Sequence, residues 1–262
     1  MKNRYSTIHP LFMSFYSRSL YQDVGKNWKK ISFLYLFLLL SVCLIPVIFK
    51  IHSQVSDYLL REAPRIVKQV PVLTISKGIV TVNEKMPYII GNPENNKPLI
   101  IIDTTGQFTS LSGSDAIALL TKTKLIIKTD SSEIRLFDLA DVDSLRIDQP
   151  KLYEWIETFS ESFGFILYPI ALLVSFLFRI IQALIFAAIG ILFARPLKVS
   201  LRYQALVSLS IVSMTPAILL DTLYKYVGNE VPSWWLINFL ITISYLFFAV
   251  KANTDQEMTR DA

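Results

Sequence analysis

The chain has 262 residues, 52% of them hydrophobic and only 18% charged, with a mean hydropathy of +0.44. A soluble domain of this size carries about 25% charged residues, so the composition argues against an ordinary soluble globular protein. The net charge of +5 is not a nucleic-acid signal: residues 1–30 hold six Lys/Arg and one Asp, whereas residues 50–162 hold 13 basic and 15 acidic residues. The basic excess flanks apolar blocks instead of coating a polar face.

Residues 1–30 read as a basic cytoplasmic segment. Within it, residues 8–24 place Leu11, Phe12, Phe15, Tyr16 and Leu20 at helical spacing, with Ser, Arg and Asp opposite. The pattern predicts an amphipathic helix, either lying in the cytoplasmic interface or packed under a bundle. Residues 31–49 are long and apolar enough for a first transmembrane helix. Thirty residues precede this block and no Ala-x-Ala spacing follows it, so it reads as a retained anchor and not a cleaved signal.

Residues 50–150 read as a small α+β extracytoplasmic domain with a sheet as its core. Residues 53–68 are more helical than extended. Short β-branched runs predict strands at Val70–Ile75, Ile79–Val82, Tyr88–Ile90, Leu99–Ile102, Leu125–Lys128 and Ile134–Leu136, punctuated by Gly78, Gly91, Pro93 and Gly106. Ser114–Thr121 reads as a short helix capped by Ser112 or Ser114. Residues 151–162 follow Pro150, a helix-start signal, and read as an interfacial helix. Leu152, Trp155, Ile156, Phe159 and Phe163 make its apolar stripe, opposite Glu154, Glu157 and Glu161, and Trp155 serves as an interfacial anchor.

Residues 163–250 predict a three-helix transmembrane region, with spans at 163–194, 204–224 and 234–250, followed by a cytoplasmic tail at 251–262. The fold class expected is a membrane all-α bundle of four transmembrane helices with an inserted α+β domain. Lys26, Lys29 and Lys30 place the N-terminus in the cytoplasm, and Arg195, Lys198 and Arg202 place the link between the second and third spans there too. The link Tyr224–Ser233 carries one Lys and one Glu and falls outside. Breaking 163–194 into a hairpin at Arg179 would put the basic link outside, and no Gly or Pro lies near Arg179 to turn the chain. The run Phe163–Ala194 is about 48 Å long as a helix, so its surplus projects beyond a hydrocarbon core of roughly 30 Å.

Charge inside these spans is the sharpest functional signal, because an intramembrane ionisable group is costly. Ser175, Arg179 and Gln182 share one face of the second span. Ser210, Ser213, Ala217 and Asp221 share one face of the third. Arg179 stands 16 residues before Arg195 and Asp221 stands 19 after Arg202, which is about 24 and 28 Å of helix. The two therefore fall at similar depth and are expected to pair, with Gln182 and Asn238 nearby. Such a pair either fixes helix register or contacts a solute. Ala183, Ala187, Gly190 and Ala194 form a small-residue face suited to close helix packing. Pro46, Pro169 and Pro216 are candidate kinks.

In the sheet domain, Asp103-Thr104-Thr105-Gly106 follows three isoleucines and resembles the Asp-Thr-Gly loop of aspartic proteases. An extra Thr and the lack of a second copy depart from that pattern. The same residues also make a good turn, with Asp accepting a backbone N–H and Gly supplying positive φ. Glu133, Asp138, Asp141, Asp143 and Asp148 form either a solvated acidic end or a loose cation site, without EF-hand spacing. Cys43 is the one cysteine, so no intrachain disulfide exists. The two histidines, His9 and His52, lie on opposite sides of a span. No His/Cys metal cluster and no cofactor is expected. Nucleotide-binding loops and HExxH are absent.

The strings FMSFYSRSLYQDVGKNWK, Pro87-Tyr88, IIDTTGQ, FLFRIIQALIFAAIG and Met214-Thr215-Pro216-Ala217 together resemble the bacterial domain-of-unknown-function family 1189. The resemblance covers nearly the whole chain and implies a multi-span protein of the bacterial cytoplasmic membrane. Some members resemble a protein linked to maltodextrin utilisation. The resemblance supplies no catalytic residue. The function expected is therefore a non-enzymatic binding or accessory protein, its partners being the bilayer and a membrane or envelope protein. The alternatives are a transporter component using Arg179 and Asp221, and a membrane-embedded hydrolase using Asp103.

Overall fold

The computed structural model describes residues 4–129, 133–228 and 231–254. Asn229 and Glu230 of the last link, and the tail from Asp255, lie outside the described residues. The chain divides into a helical unit, Met1–Ile51 with Gly164–Ala262, and a sheet unit, His52–Phe163.

The N-terminal stripe does not form one helix. It breaks into α1 (Pro10–Met13) and α2 (Arg18–Asn27). Ser17 causes the restart: its hydroxyl accepts the Leu20 N–H at 3.3 Å and caps α2. Phe12, Phe15 and Tyr16 are left exposed, while Leu20, Tyr21, Val24 and Trp28 are fully buried in the helical unit. Of the two sequence readings, α2 takes the packed one.

Two boundaries also differ from expectation. Residues 31–49 and 53–68 are not separate helices but one, α3 (Ile31–Val67). No Gly or Pro lies between Val47 and Ala63, so helical hydrogen bonding continues where hydrophobicity falls. The interfacial segment 151–162 is likewise the first part of α4 (Gln149–Ala194). Pro150 sits in its first turn, where no N–H is needed, and a lone Gly164 is too weak a break to stop it. The third apolar block does split, into α5 (Tyr203–Ser213) and α6 (Thr215–Val227), just ahead of Pro216. The last helix is α7 (Trp234–Ala252). Among the described residues four segments are long and apolar enough to cross a membrane: Ile31–Val67, Gln149–Ala194, Tyr203–Val227 and Trp234–Ala252.

α5 is the centre of the helical unit. Leu206 to Ser213 are all buried, Ser208, Ser210 and Ser213 included, as befits a helix surrounded by the others. Around it gather Leu20 and Trp28 of α2, Leu36 and Leu39 of α3, Ala183 and Phe186 of α4, and Leu246 and Ala249 of α7. The small-residue face of α4 turns inward: Ala183 and Ala187 are fully buried, and a Cβ on Gly190 would stand 3.2 Å from Leu206 Cδ2. Away from that face, α4 exposes Ile170, Leu173, Phe178 and Ile181, a run of large apolar side chains of the kind that marks an interaction or membrane surface.

The sheet unit holds two sheets. Strands β1 (Leu73–Ser76), β2 (Ile79–Val82) and β8 (Ser144–Ile147) form one in the order β2-β1-β8. The other has the order β3-β4-β5-β6-β7, with β3 (Tyr88–Gly91), β4 (Pro98–Asp103), β5 (Ala118–Thr121), β6 (Lys124–Lys128) and β7 (Ile134–Asp138). The helix expected over Ser114–Thr121 is replaced by β5. Ala118 to Thr121 pair in parallel with Ile100 to Asp103 and antiparallel with β6. A four-residue apolar run has no decisive period, and pairing on both sides settles it. Ser114 caps no helix; its hydroxyl accepts the Ala116 N–H within a turn. β8 escaped the sequence reading because acidic residues surround it.

Strand β4 is buried on both faces. Ile102 joins Leu73, Ile75, Val80, Ile90 and Leu120 in one core, and Ile101 joins Leu111, Leu119 and Ile126 in another. Gln69 completes the β3 edge: its amide donates to the Gly91 carbonyl at 3.1 Å and accepts the Gly91 N–H at 2.9 Å. Gly78 turns β1 into β2 at φ +76°, where a Cβ would meet Ala140 Cα at 2.8 Å.

Gly190→Val is expected to destabilise the protein by ~1–3 kcal/mol through overpacking against Leu206, whereas Ala188→Val on the exposed face of α4 leaves it near wild type. Thermal unfolding of the full chain in detergent measures both, and equal midpoints would contradict the close packing.

Candidate functional site

Two constellations carry ionisable groups in defined geometry, one in each unit. In the helical unit, α4 supplies Arg179 and Gln182, α6 supplies Asp221 and Lys225, and α7 supplies Trp234. Arg179 Nη2 stands 3.3 Å from Asp221 Oδ2, and Arg179 Nη1 donates to Gln182 Oε1 at 2.7 Å. The two charged side chains are only 17% and 15% exposed. A guanidinium and a carboxylate removed from water to this degree each need a partner, because an uncompensated buried charge costs several kcal/mol.

Asp221 has further donors that the sequence reading missed. Lys225 Nζ lies 2.9 Å from Oδ2 and the Trp234 indole N–H donates to Oδ1 at 3.1 Å. The carboxylate therefore ties α4, α6 and α7 together. Lys225 was legible, since it follows Asp221 by one helical turn. Trp234 was not, because nothing in its spacing announces a contact across a link. Its ring also stacks on Tyr224, with centroids 4.1 Å apart. Ser175 shares the face of Arg179, yet no hydrogen bond joins it to the cluster. Asn238 does not reach Arg179 either; its amide N–H donates to the Trp234 carbonyl of its own helix at 3.2 Å. Two of the five expected members thus stand outside the bonded network.

In the sheet unit, Asp103 ends β4 and is fully buried. Oδ1 accepts the Thr105 N–H at 2.9 Å and the Thr105 hydroxyl at 2.5 Å, and Oδ2 accepts the Phe108 N–H at 2.6 Å. Gly106 takes φ +85° with no atom near a notional Cβ, so it is needed for conformation and not for space. Burial alone pushes the Asp103 carboxyl up. The Phe108 N–H, the Thr105 hydroxyl and N–H, and the Gln107 N–H together outweigh it and hold the group below its ordinary range. A carboxylate with both oxygens occupied by its own loop is arranged to hold a turn. Thr104, half-exposed, sits with Thr109, Lys122 and Thr123 along a surface groove beside that turn.

The acidic end does not gather. Glu133 pairs with Arg135 at 3.1 Å, Asp138 accepts the Ala140 N–H, and Asp148 stands 3.5 Å from Arg146. Among the described residues no three His, Cys, Asp or Glu side chains converge as metal ligands.

Four helices long and apolar enough to cross a membrane, combined with two small sheets, define the class of chain. More particularly, the model of the family "Protein of unknown function (DUF1189)" matches residues 8–250, and the chain belongs to that family. Its description names no substrate, maltodextrin included. No curated protein and no solved structure matches the chain.

Arg179→Ala and Asp221→Ala should each lower the folded yield, and the double variant should lose less than the sum, with a coupling of ~0.5–3 kcal/mol. Denaturation midpoints of the three variants test this, and strictly additive losses would dissolve the pair. For Asp103, the depressed carboxyl contributes stability that is complete above the unfolded value near 3.8 and fades as pH falls through the folded one. Asp103→Asn should therefore cost stability at neutral pH, with the gap to wild type closing in acid. A gap that stays constant down the acid limb would show that Asp103 is not held as a carboxylate.

Proposed function

We propose that this is a multi-pass protein of the bacterial cytoplasmic membrane, with both termini cytoplasmic, whose sheet unit is an extracytoplasmic binding domain. Its role is to hold a partner protein, not to catalyse a reaction. The supporting observation is β7. It forms the edge of the five-stranded sheet, pairs among the described residues only with β6, and is exposed along its whole length.

An exposed edge strand presents unpaired N–H and C=O groups that template another strand. Natural proteins blunt such edges with lysine, proline or a covering element. β7 carries charge at Arg135 and Asp138, but beside them it presents Ile134, Leu136 and Phe137, each about half-exposed. Alternation along a strand sends Ile134 and Leu136 to one face and Arg135 and Phe137 to the other. The chemistry fits an extended segment of an envelope protein added as a sixth strand, with backbone hydrogen bonds supplying affinity and apolar contacts supplying choice. Asp103, with both oxygens engaged, offers little to a hydrolase reading. Arg179, held by Gln182 and Asp221, offers little to a transport reading.

A photo-crosslinking residue at Leu136 of the full chain, in native membranes, is expected to capture a discrete envelope protein. The same probe at Glu94, on the β3–β4 turn at the other edge, should not. Ile134→Lys with Leu136→Lys should reduce capture by a probe at Phe137 about tenfold, since charges on an edge oppose strand addition. Identical adducts from Leu136 and Glu94 would defeat the proposal.

A further inference from the structure

We propose that the helical unit contains a binding pocket for a phosphate-bearing anion, formed between α2 and the start of α5. The pocket has a volume of about 340 Å³ and is lined by Lys26, Trp28, Lys29, Arg202 and Gln204. It goes beyond the binding role of the sheet unit and does not depend on it.

Three cations line one small pocket. Among the described residues no carboxylate pairs with any of them, whereas Arg179 and Lys225 both have Asp221. Asp23, the carboxylate of α2, is committed elsewhere. It is buried, and it accepts the Arg4 and Tyr5 N–H groups at 3.3 Å, the Asn27 amide at 2.7 Å and the Trp28 indole N–H at 3.0 Å. Like charges gathered in a concave site repel one another and focus a positive potential there. An anion relieves that repulsion.

The backbone adds to it. Arg202 immediately precedes α5, and its side chain makes no capping hydrogen bond. That leaves the first turn of α5 uncapped, the Ala205 N–H turns back to the Arg202 carbonyl at 2.8 Å, and helix N-termini favour negative charge. Arg202 presents a planar fork suited to phosphate oxygens, and the two lysines supply compact charges.

The walls are pinned. Ser208 of α5 donates its hydroxyl to the Trp28 carbonyl. Trp28 is fully buried and packs edge-on against Tyr35, with centroids 6.1 Å apart. α2 is also tied to the end of α7, where Gln22 donates to the Ala252 carbonyl at 2.9 Å. Gly25 makes that approach tight, because a Cβ there would stand 2.8 Å from Asn253 Oδ1. The backbone that carries the three cations is thus held on two elements, while the side chains of Lys26, Lys29 and Arg202 are exposed at the pocket.

A lipid headgroup and a free phosphate share this chemistry, and one experiment separates them. The full chain is purified in detergent and its retained lipids are measured by native mass spectrometry, with phosphatidylglycerol and phosphatidylcholine as probes. Wild type is expected to retain phosphatidylglycerol in preference. Lys29→Gln with Arg202→Gln should weaken retention about tenfold or more, while Arg195→Gln with Lys198→Gln, which removes equal charge from the same link outside the pocket, should change it less than about twofold. Displacement of the lipid by about 10 mM inorganic phosphate assigns the pocket to a soluble phosphate; retention despite it assigns the pocket to lipid. Equal losses from the two double variants, or no loss from the first, would overturn the proposal. Lys26→Gln provides a second reading should the Lys29 and Arg202 variant fail to fold.

Discussion

Asp221 is the constraint around which the helical unit is arranged. A carboxylate in apolar surroundings must be neutralised and hydrogen-bonded, or it costs more than the fold can offset. Here the donors come from three helices: the guanidinium of Arg179 on α4, the ammonium of Lys225 on α6 and the indole of Trp234 on α7. Each donor reaches only a few ångströms, so the rotation and height of each helix are set together. The small-residue face of α4 works in the same direction, because it lets α4 approach α5 closely at Gly190. Dispersion packing alone tolerates sliding between helices; a charged contact of this kind does not.

The sheet unit solves the same problem with local means. Asp103 is as buried as any residue in its core, yet its partners all come from the five residues that follow it. A carboxylate that gathers backbone N–H groups makes a rigid loop and needs no distant element. That loop carries the chain from β4 toward β5, which lies parallel to β4 and cannot be joined to it by a tight hairpin. Charge thus organises both units, across helices in one and within a loop in the other. At the basic pocket of α2 and α5, charge is gathered without a paired carboxylate among the described residues.

Much of this was legible. The apolar blocks marked the four long helices, and the β-branched runs marked six of the eight strands. The pairing of Arg179 with Asp221 followed from counting helical rise away from a basic link. The errors share a cause. A stripe of aromatics in residues 8–24 looked like one amphipathic helix, but a single hydrogen bond at Ser17 restarts the chain and turns Phe12, Phe15 and Tyr16 outward. Ala118 to Thr121 looked helical because a four-residue run has no period of its own. Asn238 lay at a plausible depth but on a rotation that spends its amide on its own helix.

By itself the sequence determined which segments are apolar and long, where basic residues flank them, and which carboxylates would need partners, since these depend only on composition and on spacing along one chain. Only the tertiary structure decided that Trp234 completes the site of Asp221, that β5 inserts beside β4, that β7 is left as a bare edge, and that Lys26, Lys29 and Arg202 meet in one pocket. Each of these depends on residues far apart in the chain meeting in space. Such contacts are selected by packing and hydrogen-bond satisfaction across elements, and no periodicity within a single element records them.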